Sequence, residues 1–197
     1  MLFRSCRAVE QRAAQTLQRV ITARLGLLTI ALDHLTLGRA ALYAATLESG
    51  AGYPHLATAR RELYTALDGL RRAGTQSMIP LALVTCAWLR SLTGPRTGAE
   101  SAQGDLDEAW EIAERGPMPL FLADIHLHRA RLFGMGGGVI SNQLSVISGE
   151  KYPWDKHPDG APRGPKDDLA EARRLIYKHG YLRRKKELED AEQALRG

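Results

Sequence analysis

The chain has 197 residues, of which 44% are hydrophobic and 25% are charged. This composition is close to that of an ordinary globular protein, so the chain can bury a core and need not be disordered. Aromatic residues are few, at 6%, while Ala, Leu and Arg are abundant, which favours packed helices over a β-sandwich. The net charge of +5 is spread along the chain, and Arg residues alternate with Glu and Asp. This distribution favours an ordinary solvated surface over a nucleic-acid-binding groove. No run of about 18 apolar residues occurs, so a membrane span is excluded on length.

Apolar residues at helical spacing, bounded by Gly, Pro and acidic residues, predict about eight helices. The predicted helices cover residues 5–21, 27–48, 56–74, 76–94, 105–116, 120–133, 166–180 and 181–196. In the first, Ala13, Leu17 and Val20 lie on one face, as packing requires. Its Arg-rich, acid-poor start is also compatible with an organellar transit peptide, but we prefer the amphipathic helix because it fits the repeat described below. Residues 49–54 and 95–104 are predicted to be turns or loops.

The helical period disappears between Gly134 and Pro165, where the composition changes sharply. Within this stretch Val-Ile-Ser at residues 139–141 recurs at residues 146–148, so we interpret it as an inserted low-complexity connection of low order. Its Val, Leu and Ile residues leave open a short strand or an aggregation-prone edge. We therefore predict three parts: a helical repeat array over residues 1–134 that begins on half a repeat, an irregular insert and Pro-rich loop over residues 135–164, and a final helix pair over residues 165–197 that completes and caps the array.

Four predicted helices share a pattern in which a small residue is followed at four and seven positions by packing residues. The sets are Ala13/Leu17/Val20, Ala59/Leu63/Ala66, Ala109/Ala113/Gly116 and Ala172/Ile176/His179. The helices before the last three sets carry Gly38, Ala87 or Ala130 at mid-length, and small side chains are needed where two backbones approach closely.

Leu37-Gly38, followed by Ala59, Leu63 and Ala66, resembles the tetratricopeptide repeat, in which helix A has Leu-Gly and helix B has spaced Ala residues. The resemblance implies an all-α fold of antiparallel helix pairs stacked as a short solenoid. The sequence departs from the family because most of the helix-A aromatics and the Pro after helix B are missing, and because its loops are long.

Several longer segments are similar to repeat regions at the C-terminal end of bacterial multidomain signalling NTPases. They are IALDHLTLGRAALYAA, DLDEAWEIAERGPM, LADIHLHRARLF, YPWDKHPDG and DDLAEARRLI. This resemblance implies a bacterial protein-binding scaffold or, alternatively, a sensor arm separated from a signalling NTPase. Cys6 and Cys86 match no metal or redox spacing, so we expect unpaired thiols in the reducing cytoplasm.

No pattern predicts a catalytic, cofactor or metal site, and we expect the chain not to be an enzyme. GMGGGV lacks the Lys of a phosphate loop, and no Gly-x-Ser-x-Gly elbow is present. Asp124 and His128 lie one helical turn apart, but His126 faces elsewhere and no third metal ligand is evident. In the dense basic run at residues 183–186, Arg183, Lys185 and Lys186 are each followed four residues later by an acidic residue, with which they pair on a helix. We therefore rank a nucleic-acid binder, and an enzyme with an unrecognised site, below a protein scaffold.

In a solenoid of this type the A helices line the concave face, where a peptide or protein partner is expected to bind. Counting from the small mid-helix residues gives four predicted groove residues: Arg39, Trp88, Asp124 and Arg131. Trp110 is predicted to belong to the core. Trp154, in the Pro-rich loop, is interpreted as a plug that packs on the helices, with an exposed partner contact as the alternative.

Overall fold

The computed structural model describes residues 2–47, 53–134, 152–156 and 163–195. Eight α-helices lie in these residues: α1 Leu2–Thr22, α2 Leu27–Leu47, α3 Tyr53–Arg72, α4 Ile79–Thr93, α5 Ala102–Arg115, α6 Pro119–Arg129, α7 Pro165–Lys178 and α8 Lys185–Ala194. Short 3-10 turns at Gln76–Met78 and Leu182–Arg184 lead into α4 and α8, and a π-helical turn at Ala130–Gly134 extends α6. The predicted all-α class and the number of helices are therefore confirmed.

Packing divides the chain into two compact units, residues 1–94 and 95–197. Unit 1 contains α1 to α4, and unit 2 contains α5 to α8. In unit 1 α2 packs against both α1 and α3, and in unit 2 α6 packs against both α5 and α7. Short connections join α1 to α2, α2 to α3 and α5 to α6, so these packed pairs run antiparallel. The division falls inside the predicted array of residues 1–134.

The contact between α2 and α3 is built around Gly38. Ala59, Leu63 and Ala66 on α3 are each fully buried. A Cβ atom at Gly38 would lie 2.8 Å from Cγ and Cδ2 of Leu63, closer than carbon atoms approach without overlap. The backbone of α2 therefore needs a glycine at this point, as the predicted close approach of two helices requires.

The repeated packing sets coincide with the core, except where a helix ends. The first two positions of every set are buried. At the third position Val20 and Ala66 are buried, while Gly116 and His179 are exposed. The exposed pair follows directly after the last residues of α5 and α7, so the helical face that buries the other members does not extend to them.

Three helices begin three residues earlier than the sequence predicted: α1 at Leu2, α3 at Tyr53 and α5 at Ala102. α3 begins at Tyr53 with Pro54 as its second residue, where the missing N–H of proline costs little. α5 begins at Ala102, inside the predicted loop, because the Ser101 hydroxyl oxygen accepts a hydrogen bond from the N–H of Gly104 at 3.1 Å. This capping bond satisfies a free N–H of the first turn and so extends the helix beyond its apolar period.

The core of unit 2 joins α6, α7 and α8. Its fully buried members are Ala123, Leu127, Ala130, Ala172, Ile176 and Leu188. Residues 152–156 of the predicted insert form no helix, while the near-repeat at residues 139–148 lies outside the described residues. Of the helices described, none combines the length and apolar character needed to cross a membrane.

Candidate functional site

Arg39 and Trp88, two of the predicted groove residues, lie in unit 1 on α2 and α4. Tyr43 follows Arg39 by one helical turn, so both side chains project from the same face of α2. The ring of Tyr43 lies 4.8 Å from that of Trp88, centre to centre, at an interplanar angle of 69°, which is a favourable edge-to-face contact. We call Arg39, Tyr43 and Trp88 the α2–α4 face.

This face combines a buried indole with groups that solvent reaches. Trp88 is 8% exposed, Tyr43 is 44% exposed and Arg39 is partly exposed. Within the described part of the chain, Nε1 of Trp88 has no hydrogen-bond partner. A buried N–H without an acceptor costs free energy.

Asp124, the third predicted groove residue, is 3% exposed and forms contacts inside unit 2. Nε of Arg184 donates to its Oδ1 at 2.8 Å, and the hydroxyl of Tyr181 donates to its Oδ2 at 3.1 Å. Burial opposes the charge of Arg184, but Asp124 and Glu187 outweigh it and raise the Arg184 pKa. The structure thus places Asp124 in an internal ion pair and not on an open groove.

Arg131, the fourth predicted residue, lies in the π-helical turn after α6. Its guanidinium is 3.6 Å from Glu187 Oε2, and Arg184 donates to the same carboxylate at 2.7 Å. Asp124 and Arg131 are therefore joined through Arg184 and Glu187 in unit 2. In unit 1 Trp88 contacts Tyr43, which lies one helical turn after Arg39 on α2.

A buried polar cluster that the sequence did not predict connects α6 and α7 to a segment that we call the strap. The strap consists of residues 152–156 together with Arg163. His126 and Asp168 are 2% and 0% exposed. Nδ1 of His126 lies 2.5 Å from Oδ1 of Asp168, and a guanidinium nitrogen of Arg163 donates to the same oxygen at 2.5 Å. The Tyr152 hydroxyl donates to Oδ2 of Asp168. One buried carboxylate thus accepts hydrogen bonds from α6 and from two points of the strap.

The contact with Asp168 assigns the proton of His126. Nδ1 must carry hydrogen to donate to the carboxylate, so the Arg163 nitrogen 3.1 Å from Nδ1 is a neighbour and not a donor to it. Burial lowers the His126 pKa, although the hydrogen bond to Asp168 opposes the shift. Burial alone would raise the Asp168 pKa, but the hydrogen bonds from His126 and Tyr152 outweigh it and hold that pKa below its ordinary value. Because both side chains are almost fully buried, the hydrogen bond between His126 and Asp168 supports the packing of the strap.

A stacked cation lies beside this cluster. Arg129 is 4% exposed, and its guanidinium carbon lies 4.6 Å from the ring centre of Trp110 and 4.4 Å from that of Trp154. Oδ1 of Asp107 accepts from Arg129 at 3.2 Å and from Nε1 of Trp154 at 2.7 Å. We call Asp107, Trp110 and Arg129 the clamp. Trp154 therefore packs on the helices, as the plug interpretation predicted.

Trp110 differs from its predicted place in the core. Its side chain is partly exposed, and its indole N–H donates to Oε2 of Glu114 at 3.2 Å. The ring stacks on Arg129. The short side chains of its neighbours on α5 supply the core instead, with Ala109 and Ala113 fully buried.

One sequence signal was available for the missed carboxylate. Asp168 precedes Ala172 by four residues and Ile176 by eight, which places it on the same buried face of α7. The neighbouring Asp167 faces elsewhere and accepts a hydrogen bond from the N–H of Gly164 at 2.7 Å. An acidic residue on an apolar face indicates a buried partner, although it does not say which residue that partner is.

The histidines near Asp124 do not converge with it. Nδ1 of His128 donates to the backbone carbonyl of Asp124 at 2.8 Å, and burial lowers the His128 pKa to about 4. His126 is bound to Asp168 instead. In the part of the chain that the structure describes, no group of three or more His, Cys, Asp or Glu is arranged to hold a metal ion.

The basic run at residues 183–186 is partly neutralised within unit 2. Arg183 stacks on Tyr181, with 4.6 Å from the guanidinium carbon to the ring centre. Lys185 forms the predicted pair with Glu189 at 3.8 Å, while Arg184 turns inward. These contacts leave less free positive charge than the sequence alone indicates.

The chain matches no protein-family model, and no similar protein was found among the curated proteins or the solved structures. The tetratricopeptide resemblance therefore stays a prediction from the sequence.

Proposed function

We propose that this chain is a protein-interaction scaffold that binds a peptide or protein partner on the α2–α4 face. The observation that carries the proposal is the contact between Tyr43 and Trp88. In the tetratricopeptide-like arrangement α2 and α4 are consecutive A helices, and the face between A helices is where such arrays hold their ligands.

The chemistry of the face favours a partner with an acidic group and an aromatic or aliphatic side chain. Arg39 supplies a cation that pairs with a carboxylate in a forked geometry. Tyr43, 44% exposed, supplies a large apolar surface with a polar end, a combination common at protein interfaces. Binding requires no bond to be made or broken, so the proposal includes no catalysis.

We also place the protein in a reducing compartment, the cytoplasm. In the part of the chain that the structure describes, Cys6 and Cys86 form no disulfide, and disulfides rarely form in reducing compartments.

A comparison of charge reversals tests the scaffold function. Arg39→Glu changes the proposed face, whereas Arg60→Glu makes the same change on the exposed side of α3. Each full-length protein is used as bait in an extract of its native cell, and bound proteins are identified by mass spectrometry. We expect a partner that wild type and Arg60→Glu retain and that Arg39→Glu loses. Identical sets of bound proteins for all three baits would refute the assignment.

A Tyr43→Ser variant provides a second test of the same face. Because Tyr43 lies at the surface and is 44% exposed, its loss removes interface area without opening a cavity. We expect the partner identified with wild type to bind this variant at least tenfold more weakly in a titration with purified proteins. Unchanged affinity would place the interface elsewhere.

A further inference from the structure

Unit 2 holds the strap in the way that proteins hold a bound peptide. Among the described residues, the backbone–backbone hydrogen bond of the strap is internal, from the N–H of Arg163 to the carbonyl of Asp155 at 2.8 Å. Its contacts with the helices are made by side chains instead, through Tyr152, Trp154 and Arg163. Anchoring by a few side chains is typical of a peptide seated on a preformed surface.

The surface beneath Trp154 is organised by helix residues. Trp110 is held by its hydrogen bond to Glu114 and by an edge contact with His126, with 4.9 Å between ring centres. Asp107 and Arg129 come from α5 and α6 and are bound to each other. The three clamp residues are therefore in place without the strap, and the strap adds only the second aromatic ring over Arg129, that of Trp154.

The strap also supplies a cation, Arg163, to the buried carboxylate of Asp168. Asp168 is fully buried and accepts hydrogen bonds from His126, Tyr152 and Arg163. Without the strap only the His126 hydrogen bond of these would remain, and a buried carboxylate with too few donors is costly. A peptide that replaces the strap must therefore provide a hydroxyl or cationic donor for Asp168 as well as an aromatic ring for Arg129.

We propose that unit 2 contains a peptide-binding site formed by the clamp and Asp168, and that the strap occupies it as an internal ligand. The ligand class is a peptide with Tyr two residues before Trp and a following Arg. Its Trp stacks on Arg129 and donates to Asp107, while its Tyr and Arg bind Asp168. A partner segment of this chemistry competes with the strap. The site lies in unit 2 and does not depend on the α2–α4 face.

A labelled peptide tests the site in the full-length protein. The probe is a synthetic peptide of residues 150–165 carrying fluorescein, and binding is measured by fluorescence anisotropy. In wild type the tethered strap competes at an effective concentration on the order of 1 mM. We expect Trp154→Ala in the protein, which removes the strap's ring from the clamp, to bind the peptide at least tenfold more tightly than wild type does.

Two matched controls separate specific from adventitious binding. A peptide with Trp154→Ala should bind the opened protein at least tenfold more weakly than the native peptide. Adding Asp107→Asn to the opened protein should weaken the native peptide similarly, because the acceptor of the indole N–H is weakened. In contrast, Leu182→Ala, at a side chain 56% exposed, should leave the wild-type affinity unchanged.

Several results would overturn the proposal. Equal affinity of the peptide for wild type and for Trp154→Ala would show that the strap does not compete. Equal binding of the peptides with and without Trp would show that the clamp does not recognise the ring. If Trp154→Ala loses helical circular dichroism, Trp154→Phe provides a milder change, because it keeps a smaller aromatic ring and removes the indole N–H. It should still bind the peptide more tightly than wild type. Loss of helicity in both variants would make the strap part of the core and not a ligand.

Discussion

Replacing Gly38 by Ala tests the close approach of α2 and α3. The added methyl group would lie 2.8 Å from two side-chain carbons of Leu63 and 3.1 Å from its backbone nitrogen. Because the backbone nitrogen has no rotamer to move into, the two helices must separate. Such overpacking costs about 1–3 kcal/mol, while the better helix propensity of Ala recovers about 1 kcal/mol. We expect a net loss of about 1 kcal/mol, which lowers Tm by roughly 4–8 °C in a unit of this size.

Urea unfolding of the full-length protein, followed by circular dichroism, measures this loss. Thr36→Ala, at an exposed position of α2, is the control and should be as stable as wild type or slightly more stable. Leu63→Ala alone should cost about 2–5 kcal/mol. Combined with Gly38→Ala it should cost less than the sum of the two, because the smaller side chain relieves the overlap. Strict additivity, or a Gly38→Ala variant as stable as wild type, would refute the steric reasoning.

Three further variants test unit 2. Burial lowers the His128 pKa from 6.5 to about 4. As the pH falls from 6.5 to 4, His128 is therefore protonated in the unfolded chain before it is protonated in the folded protein. The free energy of unfolding falls by up to about 3 kcal/mol as a result. Between pH 7 and pH 4.5 the Tm of His128→Gln, measured by thermal scans, should therefore fall less than the Tm of wild type. The control His179→Gln, at an exposed position, should behave as wild type. An equal fall in Tm for His128→Gln and wild type would contradict the lowered His128 pKa. Arg184→Ala leaves the buried Asp124 carboxylate without its cationic partner, with the Tyr181 hydroxyl still donating to it, and should cost about 3 kcal/mol in urea unfolding. A loss below about 1 kcal/mol would mean that this pair behaves as a surface ion pair. Ser101→Ala removes the cap of α5 and should cost about 1 kcal/mol in the same assay, whereas an unchanged midpoint would show that the cap is dispensable.

Helical periodicity predicted most of the fold because local spacing decides which residues share a helix face. Ala59, Leu63 and Ala66 were identified as a packing set from spacing alone, and all three are fully buried. Gly38 was identified as a close-approach position for the same reason. The start of α5 was predicted too late, because its cap is a single side-chain hydrogen bond from Gly104 to Ser101 and leaves no apolar pattern.

The candidate sites were less predictable, since they depend on residues distant along the chain. Spacing on one helix placed Asp124 in a groove, but Arg184, 60 residues away, binds it inside unit 2. Trp110 was assigned to the core, and its place beside Arg129 follows from how α5 meets α6.

The sequence by itself determined the helical class, the helix number and most of the buried faces, because apolar spacing and small residues act within one or two turns. Tertiary structure decided which charges are buried and which segments bind them. Asp168 meets His126 across 42 residues, and Trp154 meets Asp107 across 47. A buried charge is tolerated only where several donors or acceptors converge, and that convergence exists only once the helices and the strap have packed.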